Sequence, residues 1–203
     1  MSEVASPFLV RRPNKTELRL MDSALSLFAE KGFESTSVRE IIERAGVTRP
    51  VLYYYFASKE GLFSRLIKSR IQNNAHQIDA ICEEITGCAD RLRAIARNFF
   101  EQAETEPAVV RLTLQLFFSP PGQGPDIDKK ALWRDRFDRI QNVVREGIES
   151  GDLKPGDTEE IAMAFCAMLD MQILSRWGSD QEALTPEFAE RLVNLFLNGA
   201  AAS

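Results

Sequence analysis

Apolar residues along this chain recur at the three- and four-residue steps of an α-helix, and no stretch shows the strict alternation of a half-buried strand. From Thr16 to Phe33 the pattern sets Met21, Ala24, Leu25, Phe28 and Ala29 at helical spacing, with Gly32 where a C-terminal cap belongs. Val38, Ile41, Ile42 and Ala45 repeat it over a shorter span, opened by Ser37 and Glu40 as a capping box in which each side chain accepts from the other's backbone N–H. Gly46 then permits a sharp turn and Thr48 is placed to cap the next helix, with Val47 and Leu52 positioned as a hydrophobic staple. Pro50 falls in the first turn, where a missing N–H does no harm. Phe56 ends this short helix, and Ser58 caps another that runs from Lys59 to about Glu84.

Longer helical units follow over Asp90 to Glu104, Pro107 to Phe118, Ala131 to Ser150 and Thr158 to Trp177. Asp157 and Glu160 form a second capping box, and a final helix opens with Thr185 and Pro186 and stops at Gly199. The predicted fold is therefore all-α. Three short helices make an N-terminal head over residues 1–63, joined to a helical body over residues 64–203.

Three consecutive tyrosines in the short helix bear on function. Successive helical residues point about 100° apart, so Tyr53, Tyr54 and Tyr55 cannot share one buried face. With Leu52 and Phe56 turned to the core, Tyr54 falls about 180° from the buried side, next to Pro50 and Val51. Tyr53 and Tyr55 lie on the flanks. That layout suits a helix in the major groove of DNA, its outer face on base edges and its flanks on phosphates. Thr36, Ser37, Thr48 and Lys59 stand at or near helix starts around the turn, where donors to an anionic oxygen collect. A surface helix whose tyrosines cover the seams of a bundle fits the wheel equally well.

Charge tips the balance only slightly. The net charge of −5 conceals an asymmetry: residues 1–70 hold 12 Lys and Arg against 8 Asp and Glu, and the remainder holds 13 against 22. A basic end on an acidic body fits a polyanion at that end. No apolar run approaches the roughly 20 residues that span a bilayer, and the N-terminal stretch lacks the order of a secretory leader, so a cytoplasmic protein that meets no membrane is expected. Three cysteines (Cys82, Cys88, Cys166) and a single histidine, His76, match neither a zinc site nor a disulfide framework. A nucleophile elbow, a P-loop and a dinucleotide fingerprint are all absent, which argues against an enzyme, and no cofactor is expected.

The stretch TSVREIIERAGVTRPVLYYYFASKEGLF, residues 36–63, resembles the DNA-binding head of the TetR family of bacterial transcription repressors. The Thr-Ser opening, the A-G-V turn, the hydroxyl cap, L-Y-x-x-F and S-K-E carry the resemblance. It implies a homodimer with a four-helix interface, double-stranded operator DNA of palindromic sequence, and release by a small hydrophobic or amphipathic effector bound in the body. It further implies that Thr36 or Ser37, Thr48, Tyr53, Tyr55 and Lys59 hold phosphates, while Arg39, Arg49, Pro50, Val51 and Tyr54 face bases. Two positions depart from the pattern. Tyr55 stands where many members carry histidine, and Arg49-Pro50 replaces a small residue followed by glycine, which alters the sequence read more than the mode of binding. A DNA-binding structural factor of the same fold with no effector is the alternative.

In the body, aromatic residues on the predicted helices nominate Phe99, Phe118, Trp133, Phe137 and Trp177 for an effector pocket, though most such residues serve as core. Asp170 interrupts an apolar helix and needs a partner if buried: a ligand's donor or cation, or an arginine such as Arg176. Apolar stripes with Phe165 and Leu169 in one helix and Phe188, Leu192, Leu195 and Phe196 in the last resemble the family's dimer helices. They serve equally well as a monomer's own core.

Overall fold

In the computed structural model, which describes residues 13–118, 125, 127–176 and 183–199, every regular element is an α-helix. These are α1 (Lys15–Lys31), α2 (Val38–Ala45), α3 (Arg49–Phe56), α4 (Lys59–Glu84), α5 (Cys88–Thr105), α6 (Pro107–Phe118), α7 (Lys129–Ser150), α8 (Thr158–Arg176) and α9 (Pro186–Asn198).

Side-chain caps set most of these boundaries. Asn14, which the apolar pattern does not mark, accepts from the N–H groups of Thr16 and Glu17 at 3.0 Å each, and the Glu17 carboxylate accepts from Asn14 N–H at 2.8 Å. The Ser37–Glu40 box is formed at 3.3 and 2.9 Å, and Gly46 ends α2 in the left-handed region at φ 61°. Thr48 has N-cap geometry but makes no side-chain capping bond. Pro50 removes the N–H at the second helical position, and the remaining donor, Val51 N–H, bonds the Thr48 carbonyl at 3.1 Å. Asp128 opens α7 by accepting from Ala131 N–H at 2.9 Å, two residues before the predicted start. Asp157 does the same for α8, accepting from Glu159 and Glu160.

The link between α3 and α4 is tight. Ala57, at φ 58°, is the one non-glycine residue with positive φ among those described. Ser58 Oγ accepts from Gly61 N–H at 3.0 Å, and a Cβ on Gly61 would lie 2.0 Å from the Phe56 carbonyl oxygen. Only glycine fits where α4 meets the end of α3 so closely. Beneath this corner Phe28, Phe33 and Phe63 pack ring to ring with centroids 5.1–5.4 Å apart, next to fully buried Leu20, Ile41 and Leu52.

The described residues divide into two compact units, one running through Ser69 with Pro125 added, the other holding the rest from Arg70 onward. The division falls inside α4, later than the motif-based boundary at residue 63. In the second unit α5 packs along α9 and α7 along α8, around a core that includes Leu92, Phe100, Ile140, Phe165 and Val193.

Candidate nucleic-acid interface and ligand cleft

α3 is anchored by Leu52 and Phe56, 0% and 5% exposed, so the opposite side must face outward. Tyr54 is 83% exposed and Tyr53 42%, with Arg49 and Pro50 also on the surface and Val51 half-buried. The helix is held in place by its neighbours. Arg19 donates to the carbonyls of Ala45 and Gly46, which pins the turn between α2 and α3. Asn14 Nδ2 donates to the Tyr55 hydroxyl at 3.1 Å, and the Tyr54 and Tyr55 rings meet edge to face. Arg49 lies over the Tyr53 ring at 5.9 Å.

The residues expected to hold phosphates separate into two groups. Ser37, Thr48 and Tyr53 are exposed and Tyr55 is half-buried. Thr36, by contrast, is 1% exposed, and its hydroxyl donates to Gly32 O at 2.8 Å and Leu27 O at 3.3 Å. It holds the loop before α2, leaving Ser37 as the surface hydroxyl of the pair. Lys59 Nζ donates to Phe33 O at 2.9 Å and Thr36 O at 3.0 Å and stands over the Phe33 ring, so its ammonium serves the same loop. Arg39 is exposed and pairs with Glu43 at 2.7 Å. Other head cations are also committed: Arg44 to Glu30 and Lys31 to Glu40. The bond from Lys31, helped by those from Ser37, holds the Glu40 carboxyl down at about 2.

A cleft of about 60 Å³ opens within the second unit, between α4, α5, α6 and α7. Its walls are mostly apolar: Phe99, Val110, Leu114, Phe117, Leu132 and Trp133. Phe137 is buried behind the wall, stacked on Trp133 at 4.5 Å. Phe118 does not contribute, being 63% exposed. At helical spacing Phe117 continues the inward series of Val110 and Leu114, and the next residue turns out. Trp177 lies outside the described residues. Polar groups gather at one end, where Asn74 donates to Gln102, and Gln102 donates to Gln77 and to Asn98.

Asp170 is 7% exposed and is neutralised by Arg136, not Arg176. Arg136 on α7 reaches it in a two-pronged pair at 3.1 and 2.8 Å, while Arg176 donates to Gln172 one turn away and covers the Phe188 ring. Arg136 also lines the cleft and lies over Phe99 at 5.1 Å. Burial works against its charge, the Asp170 carboxylate more than offsets that, and the guanidinium's pKa is raised.

The stripes nominated for dimerisation turn out to be largely internal. Phe165, Leu169 and Leu192 are buried in the chain's own core, and Phe188 and Phe196 pack against it. The outward side of α8 carries Met163, Ala164, Ala167 and Met171 instead, and α9 exposes Leu195 at 52%. Both sides of α8 are apolar, so periodicity alone does not separate the inner side from the outer.

Cys82, Cys88 and Cys166 are free, and burial pushes the thiols of Cys88 and Cys166 up to about 11. Among the described residues there is no cluster of His, Cys, Asp and Glu that could hold a metal ion, and no helix long and apolar enough to cross a membrane.

Residues 20–66 match the family described as bacterial regulatory proteins, tetR family. The HTH-type transcriptional regulator EthR of Mycolicibacterium smegmatis is 32% identical over 193 residues, covering 90% of this chain and 84% of that protein. The HTH-type transcriptional repressor ComR of Escherichia coli is 28% identical over 171 residues, 81% of each chain. The crystal structure of FadR from Bacillus subtilis in complex with stearoyl-CoA superposes with a TM-score of 0.81 at 18% identity, over 91% of this chain and 99% of that one, which establishes a shared fold.

Proposed function

Because this chain belongs to the TetR family of bacterial regulatory proteins and is a transcriptional regulator of that type, we propose that it is a cytoplasmic, non-enzymatic repressor. It binds a palindromic operator as a homodimer and leaves it when a small hydrophobic or amphipathic effector enters the body. The observation that carries the DNA-binding half is the outward face of α3, with Tyr54 83% exposed on a helix whose other side is locked into the core. A rigid helix with an aromatic, arginine-bearing outer face is suited to base edges in the major groove. Ser37, Thr48, Tyr53 and Tyr55 then contact phosphate at its borders. Lys59 and Thr36 support the loop that presents Ser37. The outward side of α8, with Leu195 of α9, supplies the dimer face.

The effector half rests on the cleft. FadR of Bacillus subtilis was crystallised with stearoyl-CoA, an amphipathic ligand. Here the cleft, at about 60 Å³, is far smaller than the roughly 300–1,000 Å³ of a site for a drug-sized ligand. A ligand must therefore part its walls, and α4 supplies Arg70, Ile71 and Asn74 to one of them. The same uninterrupted helix begins at Lys59 in the head. Displacing it changes the separation of the two recognition helices in the dimer, and operator affinity depends on that spacing. The narrowness of the cleft also favours a second reading, a DNA-binding factor of this fold with no effector.

Selection from random duplex DNA, with light scattering on the purified complex, tests the first reading. The expected result is an inverted repeat bound by two chains. A monomer holding a single half-site tightly would contradict it. A thermal-shift screen separates the two readings, since a ligand of the native state raises the melting point.

A further inference from the structure

The cleft does not end at its apolar walls. Arg70, Gln102 and Val109 line both it and an adjoining polar vestibule of about 210 Å³. The vestibule is bordered by the neutral groups of Asn73, Gln77, Asn98, Gln102 and Thr105, and by Glu101 and Glu106. An apolar slot opening into a polar chamber is a shape for an amphiphile, with the chain in one and the head in the other.

The charges along this path are what select the head. Its two cations are each matched by a carboxylate. Arg70 pairs with Glu106 at 3.2 and 3.3 Å, and Arg136 with Asp170 at 3.1 and 2.8 Å. Glu101 adds a further carboxylate at the vestibule with no third lining cation against it. A carboxylate or phosphate head would thus enter a region that is neutral to negative and meet no unpaired counter-charge. Hydrogen-bonding capacity, on the other hand, is plentiful. The ladder of Asn74, Gln102, Gln77 and Asn98 consists of neutral amides, each carrying donors and an acceptor. Arg136, its charge met by Asp170, lies over Phe99 at the cleft wall.

Resting on the reading of the cleft as an effector site, we infer that the effector is an uncharged amphiphile, an apolar chain bearing a neutral amide, ester or hydroxyl head. Free carboxylates and acyl-CoA thioesters, whose heads are anionic, are rejected by the paired arginines and by Glu101. Specificity here comes from a withheld counter-charge as much as from any contact made.

Calorimetric titration of the full-length protein with decanamide, 1-decanol, decanoate and decanoyl-CoA at neutral pH tests this. Decanamide or decanol is expected to bind tighter than either anion by about tenfold or more. Substituting Glu101→Gln together with Glu106→Gln, both on the exposed rim, removes two carboxylates and releases Arg70 from one of them. It is expected to narrow the gap between decanamide and decanoate by about fivefold. If decanoate or decanoyl-CoA binds the unaltered protein as tightly as decanamide, this inference falls while the effector site stands. If none of the four binds, both fall. If the double substitution leaves the gap unchanged, the charge argument is overturned even where decanamide is preferred.

Discussion

Replacing Asp170 with alanine would strand the guanidinium of Arg136 inside the second unit. The two side chains are 14% and 10% exposed and meet through two bonds, so neither finds water when the other is lost. Breaking a buried pair from one side costs about 3–5 kcal/mol, because an uncompensated charge stays behind. The slight exposure of Arg136 argues for the lower end, about 3 kcal/mol. For a chain of this length that is a fall in melting temperature of about 6–12 °C. The pair as a whole is worth much less. Arg136→Met combined with Asp170→Leu replaces it with apolar groups of similar size and should return to within about 1 kcal/mol of the parent. Glu106→Gln serves as the control, since Arg70–Glu106 is a partly exposed pair and should cost about 1 kcal/mol or less. Urea unfolding at one fixed protein concentration reads the three variants against the parent. An Asp170→Ala protein within 1 kcal/mol of the parent would refute the reasoning, as would a double variant no better than Asp170→Ala alone.

Other expectations follow from single observations. Gly61→Ala places a methyl 2.0 Å from the Phe56 carbonyl oxygen, so the corner between α3 and α4 must shift; a loss of about 1–3 kcal/mol in thermal unfolding is expected, and an unchanged melting point would contradict it. Lys59→Met takes the ammonium donor from the carbonyls of Thr36 and Phe33, of which Phe33 keeps the Thr36 N–H, so stability in the absence of DNA should fall by about 1–3 kcal/mol. A variant that loses DNA affinity alone would make Lys59 purely a phosphate ligand. Cys88 and Cys166, with thiols raised to about 11, carry almost no thiolate at pH 7.5, and their alkylation should quicken only as pH rises toward that value. Rapid labelling of both at pH 7.5 in the native protein would rule this out.

What the sequence makes legible here is mostly local. The Ser37–Glu40 box, the left-handed Gly46, the cap at Ser58 and the helix starts at Pro107 and Pro186 each depend on residues within one turn of each other, and the structure has all of them. The outward position of Tyr54 follows from the same local phase. What escapes depends on contacts between distant segments. Asp170 and Arg136 lie 34 positions apart on different helices, and no spacing rule joins them. The inward turn of the Thr36 hydroxyl is set by the end of α1, and the engagement of Lys59 by carbonyls 23 and 26 positions away. α8 misleads for another reason: it is apolar on two sides, so Phe165 and Leu169 read as well for an interface as for the core they occupy. Phe117 and Phe118 show the same limit at one-residue scale, where only the packed helix tells which of two adjacent rings lines the cleft.

The central claim is that the outer face of α3 reads bases while its flanks grip phosphate. Binding-site selection on Arg49→Ala, Tyr54→Ala and Tyr53→Phe, each paired with its affinity for random DNA, tests that claim most directly. Arg49→Ala should lose about 1–3 kcal/mol at one base pair and relax the preference there. Tyr54→Ala should lose discrimination of thymine more than overall affinity. Tyr53→Phe should weaken specific and random DNA alike and leave the selected sequence unchanged. A selected sequence altered by Tyr53→Phe but untouched by Arg49→Ala and Tyr54→Ala would contradict the assignment.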